Sequence, residues 1–259
     1  MFRALYTASS GMEAQQRNID TLANNIANVN TTGFRESRIE FRELLYQQVR
    51  GAGDPAVNGA PTGVEVGLGV ATGSTQRSFE QGSLEVTDNP LDLAIEGTGF
   101  FQVLRPNGEM AYSRAGNLRI NAEGSLTTQD GYEIFPPVSV PRDAVAVEIT
   151  RDGRVSVELP DDTAAVEVGQ LELANFQNPT GLRGLGRNLF EETAASGVAN
   201  SDLPGQSGLG QINQGALEAS NVNVVEEMVN MIVAQRSYEI NSKVIRTADE
   251  MLRAASNVK

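Results

Sequence analysis

The sequence predicts an α+β fold: a discontinuous, coiled-coil-like domain made by the N- and C-terminal helices, with a β-rich domain between them. Three observations carry this. Apolar residues repeat every seven positions at both ends of the 259-residue chain. The middle is rich in Gly and alternates short apolar runs with turn signals. Stretches of small residues with Gly and Pro separate the middle from each end.

At the N-terminus, Leu5, Met12, Ile19 and Ile26 occupy one heptad position. Ala8, Leu22 and Val29 occupy a second, three residues on, with Gln15 as the exception. That spacing is the a/d seam of a coiled coil. Gly11 is the only Gly in the stretch and weakens the helix by roughly 1 kcal/mol relative to Ala. The helix should stop between Asn28 and Gly33, where Asn, Thr and Gly collect. At the C-terminus, Val224, Met231, Tyr238, Ile245 and Leu252 are spaced by seven. Val225, Ile232, Val244 and Met251 widen the stripe. Asn223 is placed to cap this helix, with Glu226 three residues on.

The middle reads as strands. Phe100–Leu104 and Met110–Ser113 flank an Asn107-Gly108 turn. Val145–Ile149 and Val155–Val157 flank Asp152-Gly153, and Asp130-Gly131 marks another turn. Gln170–Phe176 alternates as one more strand. Residues 51–63 and 196–210 read as linkers at domain boundaries. The expected organisation is therefore residues 1–33 with 216–259 as the helical domain, 34–66 as a connecting segment with an insertion, and 67–215 as a β-rich outer domain.

Composition excludes several functions. The formal net charge of −13 opposes binding to nucleic acid or to an anionic membrane surface. The chain has no His, Cys or Trp. His-activated nucleophiles, Cys/His zinc sites and disulfides are thereby ruled out. Mechanisms on paired carboxylates, Lys or Tyr stay formally open. Acid pairs such as Asp161-Asp162 and Glu191-Glu192 are most simply solvated surface. Gly67-Leu68-Gly69 and the glycines at 181, 184 and 186 lack phosphate-loop spacing and read as turns. Asn30-Thr31-Thr32 fits a glycosylation sequon by three residues only. No apolar run reaches the ~20 residues of a membrane span. By these rules alone the chain is a cytoplasmic non-enzyme without cofactor or metal. A pair of terminal helices with apolar flanks needs neighbours to bury them, which favours self-assembly. A secreted oligomeric adhesin is the alternative from another class.

Two stretches near opposite ends narrow the choice. Ala23-Asn24-Asn25-Ile26-Ala27-Asn28-Val29-Asn30-Thr31-Thr32-Gly33-Phe34 resembles the N-terminal signature of the bacterial flagellar rod and hook family. Glu218-Ala219-Ser220-Asn221-Val222-Asn223, followed by Met231-Ile232 and Gln235-Arg236-Ser237-Tyr238-Glu239, resembles its C-terminal signature. Gly97-Thr98-Gly99-Phe100-Phe101 with Tyr112-Ser113-Arg114 is similar to the family's β-domain. The opening Ser10–Gln16, the stretch Glu43–Gln47 with its following insertion, and the length resemble the family's distal-rod branch. A hook subunit or a second rod subunit is the nearest competitor. The resemblance implies a structural subunit of a hollow helical drive shaft. Its implied partners are further copies of itself, the hook protein, neighbouring rod proteins, the P and L ring proteins and the flagellar export apparatus. It implies export without a cleaved signal peptide to the periplasmic basal body, which replaces the cytoplasmic expectation. The expected assembly surface comprises Leu5, Met12, Ile19, Leu22, Ile26, Val29, Val224, Val225, Met228, Met231, Ile232, Tyr238, Ile245 and Leu252.

Overall fold

A computed structural model describes residues 2–50, 63–160 and 165–257. The fold is α+β, with a helix at each end and strands between them. The chain divides into two compact units. Unit 1 comprises Met1–Ala27, Ser37–Arg77 and Asn223–Lys259, and unit 2 comprises Asn28–Glu36 and Ser78–Val222.

Unit 1 holds helix α1 (Phe2–Ala27) and helix α2 (Val224–Asn257). Both form where the heptad pattern places them. The helices pack on each other along their length and run antiparallel. Asn25 donates to Glu227 near one end of the contact, and Gly11 faces Asn241 the same number of residues along. A Cβ on Gly11 would lie 2.9 Å from the Asn241 Nδ2, so the one glycine of α1 sits at a close helix approach. Asn223 caps α2 by accepting from the Val225 N–H at 3.1 Å, and Glu226 and Glu227 follow in the first turn, where the helix dipole favours acids. Val29 is not on α1. The helix ends at Ala27, and the Thr31 N–H donates to the Asn28 carbonyl in the turn that follows, so Val29 falls in unit 2.

The rest of unit 1 was not anticipated. Ser37–Glu43 (β1) pairs antiparallel with Val70–Arg77 (β4), and Tyr46–Arg50 (β2) pairs with Val64–Gly67 (β3). The expected connecting segment 34–66 thus supplies strands to the helical unit, and β1 and β4 both contact α1. Residues 51–62 of the expected insertion lie outside the described residues.

Unit 2 is built from antiparallel strands, as the turn signals predict. Its largest sheet, among the described residues, has nine strands. The hairpin Phe100–Leu104/Met110–Ser113 stands at the middle, and Gly108 closes its turn by donating to the Arg105 carbonyl. A three-stranded sheet contains the expected pair Ala146–Ile149/Arg154–Glu158. The run 170–176 is split between two sheets, Val166–Gln170 and Leu173–Asn175, because Leu171 turns into the core between them. Residues 196–210 are not a boundary linker. Asn200–Asp202 adds a strand to Leu173–Asn175, and Gly210 donates to the Thr98 carbonyl at 2.7 Å. Ala216–Glu218, expected to be helical, pairs with Leu84–Val86.

Leu93, Ile95, Phe101, Val103, Leu171 and Leu173 centre the core of unit 2. Phe100, Tyr112, Phe176 and Phe190 form a second cluster, with edge-on ring contacts. Beside the apolar core lies an ion cluster. Glu218 is fully buried and accepts from Arg35 at 2.6 Å, from the Arg114 Nε at 2.8 Å and from the Gly82 N–H at 3.0 Å. Gly33, at φ 69°, donates its N–H to the Glu218 carbonyl at 2.8 Å. A Cβ there would meet the Ala115 nitrogen at 2.7 Å, so the turn leaving α1 requires glycine.

Candidate assembly surface

The helices of unit 1 bury a narrow seam. On α1, Ala8, Ala14, Leu22 and Asn25 are buried, while Leu5, Met12, Ile19 and Ile26 are half-buried. On α2, Glu227, Ala234 and Ala248 are buried, and Met231, Asn241, Ile245 and Leu252 are half-buried. These α2 positions alternate by four and three, so they share one side of the helix.

A polar contact fixes this seam. The Asn25 amide donates to Glu227 at 3.0 Å and to the Ser37 carbonyl at 2.8 Å, and its oxygen accepts from the Ser37 N–H at 3.0 Å. Asn25 therefore ties the end of α1 to the starts of β1 and α2. A satisfied polar residue in an apolar seam specifies register. Periodicity missed Asn25 and Glu227 because it follows apolar residues. The capping signal at Asn223 and the family signature around Asn25 are the only sequence features near them.

The other side of α2 is equally apolar and faces outward. Val225 is 72% exposed, Met228 54% and Ile232 57%; Val229, Val233 and Ile240 are exposed as well. From Val224 to Ala234 only Glu226, Glu227 and Asn230 are polar. A helix apolar all round is normally a buried helix. Covering one such Val, Met or Ile side chain is worth about 1.5–3 kcal/mol. The expected site residues therefore divide. Met231, Ile245, Leu252 and the α1 residues lie at or beside the helix pair. Val224, Val225, Met228, Ile232 and Tyr238 are exposed.

The β1–β4 ribbon shows the same pattern. It consists of two-stranded pairs, which are marginal alone in water. It exposes Phe41, Leu45, Tyr46, Val49 and Val64, with Leu45 85% exposed. Exposed apolar residues thus concentrate in unit 1 on both helix and ribbon, as interaction surfaces do. Among the described residues, no cluster of acidic side chains has a metal-binding arrangement, and no helix is long and apolar enough to cross a membrane.

Comparison with known proteins identifies relatives over the whole chain. Residues 5–35 match the family model of flagella basal body rod proteins. Residues 94–157 match the D1 domain of the flagellar hook protein FlgE/F/G, and residues 213–258 the C-terminal region of the flagellar basal body rod FlgEFG proteins. The flagellar basal-body rod protein FlgG of Borreliella burgdorferi is 48% identical over 263 residues, covering 100% of this chain and 99% of the relative. That of Caulobacter vibrioides is 50% identical over 260 residues, covering 99% of each. The flagellar hook-basal body complex protein FlhP of Bacillus subtilis is 30% identical over the full length of both. These relatives are structural proteins rather than enzymes. With full-length identity at this level, and with family models matching both ends of the chain, the chain belongs to the flagellar basal-body rod family, as a structural subunit of the distal rod.

Proposed function

We propose that copies of this chain polymerise through the outward face of α2 and the exposed ribbon of unit 1 into a hollow helical rod that carries torque from motor to hook. The carrying observation is that α2 is apolar on two opposite sides while α1 covers only one. In the polymer the terminal helices pair with those of neighbours in coiled-coil fashion, and Val225, Met228 and Ile232 become interface residues. Unit 2, with its own closed core, stays outside this contact. The hook protein and neighbouring rod proteins meet the ends of the stack, and the P and L ring proteins surround it in the periplasm. The chain reaches that position through the flagellar export apparatus without a cleaved signal peptide. Membership of the rod family supports these partners and this placement.

The test is electron microscopy with light scattering on the wild-type chain and on Val225→Asp and Ile232→Asp. A charge in a packed apolar interface costs several kcal/mol. Both positions are exposed in the single chain, so the fold should survive. The wild type should pass from monomer to straight filaments on concentration, and the variants should stay monomeric with the melting of unit 2 unchanged. Variants that build filaments of normal stability would remove the outward face of α2 as the interface. A particle of fixed small copy number would point to a closed oligomer instead.

A further inference from the structure

The formal charge of the chain is divided between its two units with no overlap. Unit 1 holds 11 acidic and 11 basic side chains and is neutral, and the balance holds within each of its three segments. Unit 2 holds 22 acidic and 9 basic side chains, a net −13, which is the entire formal charge of the protein. Seven of those nine cations lie at the surface, against 21 of the 22 acids if only the buried Glu218 is set aside. Arg35 and Arg114 are buried on Glu218, and Arg105 and Arg183 bridge to Glu191. Glu85, Glu96, Glu123, Asp143, Glu148 and Glu167 are exposed.

General solubility would be served by acid anywhere on the surface. Confining it to the unit without the outward apolar helix face has a specific consequence. Copies that associate through neutral unit 1 meet no net repulsion there, yet each brings a strongly acidic unit with it. A unit of this size has a radius of gyration of about 15 Å, so two of them in contact stand about 40 Å apart. The screening length is ~30 Å at 0.01 M salt and ~8 Å at 0.15 M. Repulsion across that gap is therefore large in dilute buffer and nearly gone at physiological salt.

We propose that the acidic β unit sets an electrostatic threshold on self-association, so that copies join through the neutral helical unit only where small cations screen the β units from one another. This rests on the assembly reading above. It makes the β unit a regulator of an interface that it does not form.

The experiment is sedimentation velocity and light scattering on the full chain between ~10 and ~300 mM NaCl. The wild type is compared with a six-fold variant, Glu85→Gln, Glu96→Gln, Glu123→Gln, Asp143→Asn, Glu148→Gln and Glu167→Gln. A second variant, Glu80→Gln, Asp88→Asn and Asp130→Asn, guards against a folding defect in the first, and thermal melts establish that each is folded. The wild-type association constant should rise on the order of a hundredfold or more across this range. The variants should associate more strongly than the wild type at the lowest salt and show a shallower dependence, graded with the number of charges removed. Salt acting on the apolar faces would affect all three proteins alike. Equal slopes in wild type and variants would therefore overturn the threshold and leave the assembly reading standing. Absence of association at every salt concentration would overturn the assembly reading, and this inference with it.

Discussion

Glu218 shows how much of unit 2 depends on one carboxylate. Its two oxygens hold Arg35 from the segment after α1, Arg114 from the end of a central strand and the Gly82 N–H. Arg114 passes its remaining donors to the Gly99 carbonyl at 2.6 Å and the Gly97 carbonyl at 2.7 Å. Burial pulls the Arg114 pKa below the usual guanidinium value, and Glu218 opposes that pull. Glu218→Gln removes the charge but keeps the shape, so two buried cations lose their counter-ion. We expect unit 2 to lose about 3–5 kcal/mol in urea unfolding. The exposed Arg236–Glu239 pair, cut by Glu239→Gln, should change stability by less than ~1 kcal/mol. Equal small effects would mean that the cluster is not a determinant of stability. Tyr112 gives a pH signature. Burial, followed by the Glu192 carboxylate, pushes its pKa up to about 12. An unfolded Tyr ionises near ~10. The phenol therefore contributes stability below the unfolded value that is lost as pH rises through the folded one. Tyr112→Phe should flatten the fall in melting temperature between pH 10 and 12 relative to wild type; parallel profiles would exclude this residue as the cause. The sequence quotes Arg114 and Glu218 only inside family signatures. Residues 104 positions apart in an ion pair leave no local pattern, so their partnership appears only in the fold.

At the scale of elements, both helices were readable from the heptads because a seven-residue apolar beat is a local property of a helical surface. Which side of α2 meets α1 was not readable. Glu227, Ala234, Asn241 and Ala248, small or polar, complete the seam beside the half-buried Met231, Ile245 and Leu252, while Val225, Met228, Val229, Ile232 and Val233 point away. Hydrophobic periodicity finds apolar residues on both sides of α2 and so identifies surfaces a helix must bury somewhere, not the neighbour it buries them against. The β1–β4 ribbon was missed for a related reason: its strands keep apolar residues exposed, so the alternation of a half-buried strand is weak. The small seam also predicts dynamics. A helix pair held by Ala, Asn and half-buried Ile gains little burial, and tertiary packing rather than propensity supplies most helical stability. In a dilute monomer the backbone amides of Ile19 and Ile232 should exchange orders of magnitude faster than those of Phe101 and Val103 in the β core. Assembly should slow them. Protection in a proven monomer equal to that of Phe101 would show that the pair is stable without neighbours.

At the scale of the whole molecule, the strand-rich middle and its terminal helices were legible, but the boundaries were not. Residues 196–210 have the small polar composition of a linker, and the chain uses it for a strand and tight turns inside unit 2. The boundaries instead fall beside ordered elements, at Ala27/Asn28, Glu36/Ser37, Arg77/Ser78 and Val222/Asn223. Composition does not mark them, because no Gly- and Pro-rich stretch stands at any of the four. The division has a thermodynamic consequence. The buried cluster around Leu93, Ile95, Phe101 and Val103 lies wholly within unit 2, as do the aromatic cluster and the Arg35–Glu218–Arg114 ion cluster. Nothing in those sets comes from α1 or α2. Calorimetry of the full chain should therefore show two transitions, a weak one from unit 1 and a cooperative one from unit 2. A fragment of residues 28–222, lacking both helices, should keep the second within a few degrees and lose the first. It should also stay monomeric at concentrations where the full chain associates, since the outward face of α2 is gone. A fragment that fails to melt cooperatively would show that the β unit needs the helices to fold. One that still associates would show that the ribbon between Ser37 and Arg77, whose exposed Phe41, Leu45 and Val49 it retains, joins copies without α2.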